Sequence, residues 1–373
     1  MAKKTALIFG ANGISGTATV QQLAKSKDWL KIIAVSRRPA QFDFEDPRVI
    51  HVSLDILQSS VPEIAERLTG AGAIDATHAF HFTYVEKSDP EELVKVNEEL
   101  LHKTLDAVVN ACPHLETFML QTGYKYYAVF LGPPKMAPTP FKEDAPRAES
   151  NEIFYYAQED LLKQYAEKHN WRWLITRPNT IVGIAKGNFM NIAISIGIYA
   201  ALQKQLGQPF KYPGNAKSWN VIIDQSSAVN NADFHIWAAT TPSAGNNAYN
   251  IHNGDKVVVK DLWSSIAEYF GLEVSTEGMP SGDGEHISRA FSFPHYMEKH
   301  RDKWHELADR YGLDTTAYDY GTWSFVDFIF ARTWGDNASL DKARAQGWTK
   351  TVDSFQDYRA VFDKMKELKM IPQ

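Results

Sequence analysis

The chain has 373 residues, a formal net charge of −6 and a single cysteine. Its length allows one large domain or two ordinary ones. The acidic balance, with no basic block, argues against nucleic acid or anionic membrane as a main partner. No apolar run approaches a membrane span. The start, Met1-Ala-Lys-Lys-Thr5, leads straight into a strand, so no signal peptide is expected. Cys112 cannot form an internal disulfide, which fits a reducing, cytoplasmic setting. Before Pro113 near a helix end, it reads as a packed small hydrophobe. No repeats or low-complexity stretches occur.

The first predicted element is Ala6-Leu-Ile-Phe9, a buried strand. Gly10, Gly13 and Gly16 follow at three-residue spacing, and Thr17–Lys25 has helical apolar spacing. Gly10 permits a tight turn, Gly13 lets a pyrophosphate approach the backbone, and Gly16 lets the helix pack on the sheet. The unpaired N–H groups of the helix start suit a phosphate. A tight turn without ligand would use the same glycines. The G-x-x-G-x-x-G spacing resembles the extended short-chain dehydrogenases.

Leu30–Ser36 is predicted as the second strand, ending Ser36-Arg37-Arg38. A dinucleotide fold reads the adenosine ribose at this place, with an acid for NAD. Here two guanidinium groups replace the acid and can fork onto a 2′-phosphate, which argues for NADP(H). Val49–Leu54 is a third strand, followed by Asp55 and Ile56. The Asp55 carboxylate is placed to accept from an adenine amino group or to cap the next helix. Ser59–Leu68 is a helix and Ala76–Phe82 a fourth strand, whose end, Phe82-Thr83-Tyr84, would lie beside the cofactor ribose and nicotinamide. Pro90–Ala111 is a long helix and Thr117–Gln121 the fifth strand. This alternation predicts a doubly wound parallel sheet of the Rossmann type, with ligands at the carboxyl ends of the strands.

Thr122-Gly-Tyr-Lys-Tyr-Tyr127 follows the fifth strand, then a proline-rich loop over 132–140. Ser150 and Asn151 are expected to cap a helix running through Glu152-Ile-Phe-Tyr-Tyr-Ala-Gln-Glu-Asp160. Trp171–Thr176 is a sixth strand, ending Arg177-Pro178-Asn179-Thr180-Ile181. Residues 1–183 thus read as a nucleotide-binding core and 184–373 mainly as a smaller substrate-capping α/β region, with segments near 219–255 returning to the core. Helices are expected over Phe189–Leu206, Ser226–Trp237, Lys260–Phe270 and Ser354–Lys369, and strands over Trp219–Ile223 and Tyr249–Ile251. His295, His300 and His305, in a charged helical stretch, are expected to be exposed; their i, i+5 spacing does not make a metal site. Gly321–Trp334 reads as an aromatic helix packing over the substrate cleft.

Short-chain dehydrogenases usually carry Tyr-x-x-x-Lys on a helix. Here Tyr155 meets Glu159 and Tyr156 meets Asp160, so the lysine must come from elsewhere, and Lys125 is the candidate. This pairing, with Gly10–Gly16, Val35-Ser-Arg-Arg38, Leu54-Asp-Ile56, Gln121–Tyr126, Phe154–Asp160, Arg177-Pro178, His235-Ile-Trp-Ala238 and Tyr249–Asp255, resembles the progesterone 5β-reductase and iridoid synthase family. The resemblance covers about two-thirds of the chain in family order.

The resemblance implies NADPH-dependent reduction of an activated C=C bond in a lipophilic enone or enal. Tyr155 would stabilise the enolate oxygen, and Lys125 would polarise the site or orient the tyrosine. It assigns the cofactor to Gly10, Asn12, Gly13, Ile14 and Gly16, then Ser36, Arg37 and Arg38, then Asp55 and Ile56, and finally Thr83, Gln121, Tyr155, Pro178 and Ile181. Tyr84, Met190, Trp323 and Phe325 would line an apolar substrate pocket. The sequence departs from the family at Tyr124-Lys-Tyr-Tyr127, at Asn179 after Arg-Pro, and at Tyr84 in place of a tryptophan. A carbonyl reductase using the same pair, a sugar-nucleotide epimerase or dehydratase, and a non-catalytic NADPH-binding regulator remain alternatives. A homodimer is one permitted assembly.

Overall fold

A computed structural model describes residues 4–39, 42–282 and 288–373. Met1 to Lys3, read above as the lead into the first strand, lie outside the described residues. The chain divides into two compact units. The first holds residues 1–179, Ala228–Ile251 and Ser339–Thr349; the second holds Thr180–Ser227, His252–Ala338 and 350–373.

The first unit is built on seven parallel strands: β1 (Lys4–Phe9), β2 (Trp29–Ser36), β3 (Val49–Ser53), β4 (His78–His81), β5 (Thr117–Gln121), β6 (Arg172–Pro178) and β7 (Asn247–Ile251). They lie in the order β7-β6-β5-β4-β1-β2-β3. The central strands are apolar on both faces because helices cover both. Leu7 sits opposite Ile33 of β2 and Ala79 of β4; Phe9 sits opposite Val35 and His81. The order reverses between β1 and β4, and a doubly wound sheet opens its ligand crevice at the carboxyl ends beside such a reversal.

The helices of this unit are α1 (Ile14–Lys25), α2 (Val61–Gly70), α3 (Pro90–Ala111), α4 (Tyr155–His169) and α5 (Ala228–Thr240). Val20 and Leu23 of α1 and Phe234 of α5 pack in one core layer with Ala6, Ile8 and Ile32. Leu100, Leu105 and Val108 of α3 and Leu162 of α4 share the other with Leu7, Phe9 and Phe118. Cys112 is buried there, and burial pushes its thiol up to about 12, as for a packed hydrophobe.

Two expected starts are corrected. The N-cap of α2 is Ser60, which accepts from Glu63 N, so the helix begins at Val61 rather than Ser59. Neither Ser150 nor Asn151 caps α4: Ser150 Oγ accepts from Glu152 N in a local turn, and the N-cap residue is Phe154, without a side-chain cap. Holding Phe154 and Tyr155 inward, instead of a polar cap, is what the site below needs.

The second unit is organised on the helix Ile192–Leu206, buried along nearly its whole length. That explains its apolar residues on every side. A Cβ at Gly197 would sit 2.9 Å from Met365 Cε, so this glycine admits the closing helix Ser354–Glu367. Trp263 stacks on Phe210 at 4.2 Å between ring centroids. Short strand pairs complete it, Thr180–Val182 with Gln225–Ser227 in parallel and Ile222–Ile223 with Val257–Val258 antiparallel. The strand expected over Trp219–Ile223 is a 3₁₀ turn, Ser218–Asn220, before the two-residue strand. Of the three histidines expected at the surface only His295 is exposed; His300 is half-buried, stacked on Tyr296 at 4.3 Å, and His305 is half-buried near Tyr318. No described helix is long and apolar enough to cross a membrane.

Candidate active site

The glycine turn is shaped by close approaches. Gly10 has φ +83°, and a Cβ there would meet the Phe82 carbonyl carbon at 3.0 Å. Gly10 N and Ala11 N both donate to Val35 O at 3.0 Å, closing the turn across the end of β2. A Cβ at Gly16 would lie 2.1 Å from Gly10 O, so only glycine fits. Gly13 is the N-cap of α1, with no side-chain cap and no acid in the first turn. The helix therefore presents uncapped N–H groups and its positive end, which suits a pyrophosphate. Ile14, the first helical residue, is buried.

The loop after β2 is pinned by Asn12. Its Nδ2 donates to Arg38 O at 3.1 Å and to Pro39 O at 2.7 Å, so this side chain holds the loop that carries Arg37 and Arg38. Both arginines are exposed, and Ser36 ends β2 beside them. Asp55 Oδ1 accepts from Leu57 N at 3.1 Å and Gln58 N at 3.4 Å; it caps this turn and not α2. Ile56 is buried in the core layer of α2 and α3.

Across the reversal, Thr83 Oγ1 lies 2.6 Å from His81 Nε2. Gln121 ends β5 with a buried Oε1 that has no hydrogen-bond partner among the described residues. A buried acceptor without a donor fits a ligand hydroxyl or amide at this strand end. Pro178 ends β6, its carbonyl 3.3 Å from where a Gly123 Cβ would be. Ile181 lies in the second unit, on the strand Thr180–Val182. The chemistry of these donors and acceptors fits a dinucleotide along the carboxyl edge of the first unit's sheet.

Lys125 sits in a 3₁₀ turn, Tyr124–Tyr127, directly after β5. Its Nζ lies 5.5 Å from the Phe154 ring centroid and 5.1 Å from that of Phe130. Tyr155 packs edge-on against the same Phe154, with ring centroids 4.6 Å apart. The Tyr155 hydroxyl comes within 3.5 Å of where a Gly123 Cβ would be, so glycine at 123 leaves room for the phenol beside the turn that carries Lys125. Burial, with the Glu86 charge adding to it, pushes the Tyr155 phenol well above its ordinary pKa and keeps it protonated. Burial lowers the Lys125 pKa, against the pull of Glu86 and Glu152. Tyr84 also stacks on Phe154, with ring centroids 5.9 Å apart, and donates its hydroxyl to Glu86.

The customary lysine position is occupied differently. Glu159, one turn beyond Tyr155, is bound to Arg177 of β6, and Asp160, one turn beyond Tyr156, accepts from Arg147 at 2.6 and 2.7 Å. Tyr156 is structural: its hydroxyl donates to Tyr126 O at 2.7 Å and accepts from Ala148 N at 2.9 Å. Arg177 in turn packs on the Tyr126 ring at 3.3 Å and donates to Tyr127 Oη at 3.2 Å. Two anchors thus hold the turn around Lys125.

Sequence reasoning missed Glu86, Phe154 and Asn97 as site residues. Asn97 of α3 binds both main-chain groups of Val85, at 3.0 and 2.8 Å, and so fixes the Tyr84–Glu86 segment. A buried asparagine in an apolar helix face was the available signal for it. Of the expected substrate wall, Tyr84 is in the first unit. Met190 (exposed) and the half-buried Trp323 and Phe325 are in the second, Trp323 packed 5.1 Å from Tyr318 and Phe325 stacked 6.3 Å from Phe328. Among the described residues no cluster of three His, Cys, Asp or Glu could hold a metal.

Comparison with known proteins places the chain by family and by fold. Residues 6–372 match the family model described as a PRISE-like Rossmann-fold domain. The short chain dehydrogenase gsfE of Penicillium aethiopicum is 35% identical over 99% of this chain and 100% of its own length. The 3-oxo-Delta(4,5)-steroid 5-beta-reductase of Arabidopsis thaliana is 31% identical over 99% of this chain and 94% of its own. In fold, the chain is similar to UDP-glucuronic acid 4-epimerase from Bacillus cereus, solved in complex with NAD, with TM-score 0.66 at 14% identity over 98% of this chain and 99% of that one. With the Rossmann sheet, the glycine turn and full-length relatives in agreement, the chain belongs to the PRISE-like Rossmann-fold family of short-chain-dehydrogenase-type oxidoreductases.

Proposed function

We propose that the protein reduces the activated C=C bond of a lipophilic enone or enal with NADPH. The observation that carries this reading is the grouping of Tyr155 and Lys125 against Phe154, from two different elements, while Glu159 is committed to Arg177. The name of the Arabidopsis relative, a 3-oxo-Delta(4,5)-steroid 5-beta-reductase, supports the bond type. Bound NADPH supplies the hydride.

The chain's own residues supply the rest. Addition of a hydride to the β-carbon moves negative charge onto the carbonyl oxygen. Tyr155, kept protonated by its surroundings, donates a hydrogen bond there, and that bond strengthens as the charge develops. The Lys125 ammonium places positive charge in the same half-buried neighbourhood. Aromatic rings of Tyr84, Phe130 and Phe154 offer apolar contact to the substrate and limit water around the oxygen. Arg37 and Arg38 select the phosphorylated cofactor.

The test is a panel of lipophilic enones and enals with C4-deuterated NADPH and product analysis. Deuterium on the β-carbon is expected. Deuterium on a carbinol carbon would replace this reading with carbonyl reduction, and cofactor binding without turnover across the panel would replace it with a regulatory role.

A further inference from the structure

We infer that His51, on the strand next to Ser36, is a third recognition residue for the 2′-phosphate of NADP(H), beside Arg37 and Arg38. The inference rests on the NADPH reading above and adds a residue that the sequence pattern did not single out.

The hydrogen bonding at the end of β2 fixes the state of the ring. Ser36 Oγ donates to Arg38 O at 2.8 Å and lies 2.8 Å from His51 Nε2. A serine hydroxyl has one proton. With that proton on the Arg38 carbonyl, the imidazole is the donor, and the neutral ring carries its hydrogen on Nε2. Nδ1 is then the atom that takes up a further proton. The ring gains its charge without breaking the bond to Ser36.

Position makes that charge useful. In a doubly wound sheet the adenosine ribose lies at the carboxyl end of the second strand, here Ser36. Ser36, its one proton committed to Arg38 O, has none left for an anion at this corner; the imidazole beside it acts on that anion through its charge. Asn12 keeps the Arg37–Pro39 loop in place over the same corner. The ring is half-buried, and burial lowers its pKa, while the Arg38 carbonyl works the other way. In the free protein the ring is therefore neutral near pH 7.

The other charged groups on the adjoining elements are mostly engaged. Asp43 accepts from Gln21 of α1, Asp55 caps its own turn, and Arg67 of α2 donates to Ser53 O. Arg37 and Arg38 are the cations that share the corner. Among the described residues no carboxylate pairs with the ring. A 2′-phosphate is then the anion that draws a proton onto His51, whereas NAD(H), which lacks it, does not. Binding of NADPH is coupled to proton uptake at His51.

The test measures dissociation constants of NADPH and NADH near pH 6 and pH 8 for the wild type and His51→Gln. Glutamine keeps a donor for Ser36 and cannot charge. NADPH is expected to tighten on acidification about five- to tenfold more in the wild type than in the variant, with NADH equal in both. The phosphate's own titration is common to both proteins and cancels. Equal pH dependence in a variant that still prefers NADPH overturns the role of His51 and leaves the NADPH reading standing. No preference for NADPH in either protein overturns both. If the variant does not fold, the wild-type ring is followed by NMR: a higher His51 pKa with NADP+ than with NAD+ supports the inference, and an equal one refutes it.

Discussion

Glu159 and Arg177 form a nearly inaccessible, multiply bonded pair: Arg177 Nη2 donates to Oε2 at 2.9 Å and to Oε1 at 3.0 Å, and Nε to Oε1 at 3.1 Å. Their side chains are 1% and 2% exposed respectively. The carboxylate stands on α4 where the usual Tyr-x-x-x-Lys lysine would be, and it ties that helix to β6. On the proposed reading, the ammonium that works with Tyr155 therefore comes from another element, the turn that carries Lys125.

Restoring the customary residue should therefore harm the protein. In Glu159→Lys an ammonium would be buried against the Arg177 guanidinium, with the pair also broken. The loss is expected to be at least about 3–5 kcal/mol, the range for breaking a buried pair. Chemical denaturation checks it. A variant as stable as the wild type, or one that gains activity, would contradict the structural role of Glu159.

Tyr156→Phe isolates the second anchor of the Lys125 turn. The ring contact with Tyr126, 5.0 Å between centroids, is kept while the bonds to Tyr126 O and Ala148 N are lost. Stability should fall by about 1–2 kcal/mol. With the turn that carries Lys125 loosened, kcat should fall several-fold, while NADPH affinity is expected to hold. Thermal melts and steady-state kinetics separate this from direct catalysis, which would cost far more in kcat without loss of stability.

Much of this was legible in the chain itself. Leu7-Ile-Phe9, the three glycines and the strand–helix alternation give the parallel sheet, because fully buried strands and a close helix crossing leave few other residue choices. Ser36-Arg37-Arg38 and Lys125 stand out in the sequence because each departs from a local rule at a known position; their roles are those proposed above. The Arg177 network does not stand out. Arg177 binds Glu159, Tyr127 Oη and Glu143 O, and Tyr127 donates in turn to Asn250 Oδ1 of β7; these come from separate parts of the chain, and no periodicity links a charge to its partner across a sheet. The start of α4 was misplaced because Ser150 and Asn151 offer ordinary capping chemistry, while burial of Phe154 decides the matter in three dimensions. Asn12, read as a cofactor ligand in the glycine turn, has a second task that the chain does not advertise: its Nδ2 holds the Arg38 and Pro39 carbonyls, while its buried Oδ1 has no hydrogen-bond partner among the described residues.

Arg37→Ala combined with Arg38→Ala should weaken NADPH about 100-fold and NADH less than about threefold, since only the former loses charge-assisted bonds to a phosphate. Fluorescence titration of both cofactors measures the ratio. Equal losses would remove the pair from cofactor selection.

Asp357, half-buried in the second unit, accepts from Ser227 Oγ at 2.8 Å, and desolvation of its carboxyl raises its pKa to about 6. The folded state then holds the proton more tightly than the unfolded chain, whose value is near 4. Stability from this group is present below pH 4 and is lost as the pH rises from about 4 to about 6, by roughly 2–3 kcal/mol at most. Asp357→Asn should remove that slope, so the variant gains on the wild type between pH 4 and pH 7. Denaturation at several pH values checks it; parallel curves would mean the carboxyl titrates alike in both states.

The union of Tyr155 and Lys125 in one catalytic unit is tested most directly by a double-mutant cycle on kcat with Tyr155→Phe, Lys125→Met and the double variant, alongside NADPH dissociation constants. Groups that act as a unit are non-additive. Each single change should lower kcat about 100-fold or more, the double no further than the worse single, with NADPH affinity held within about threefold. Full activity in either single variant, or losses that multiply in the double, would contradict the pairing.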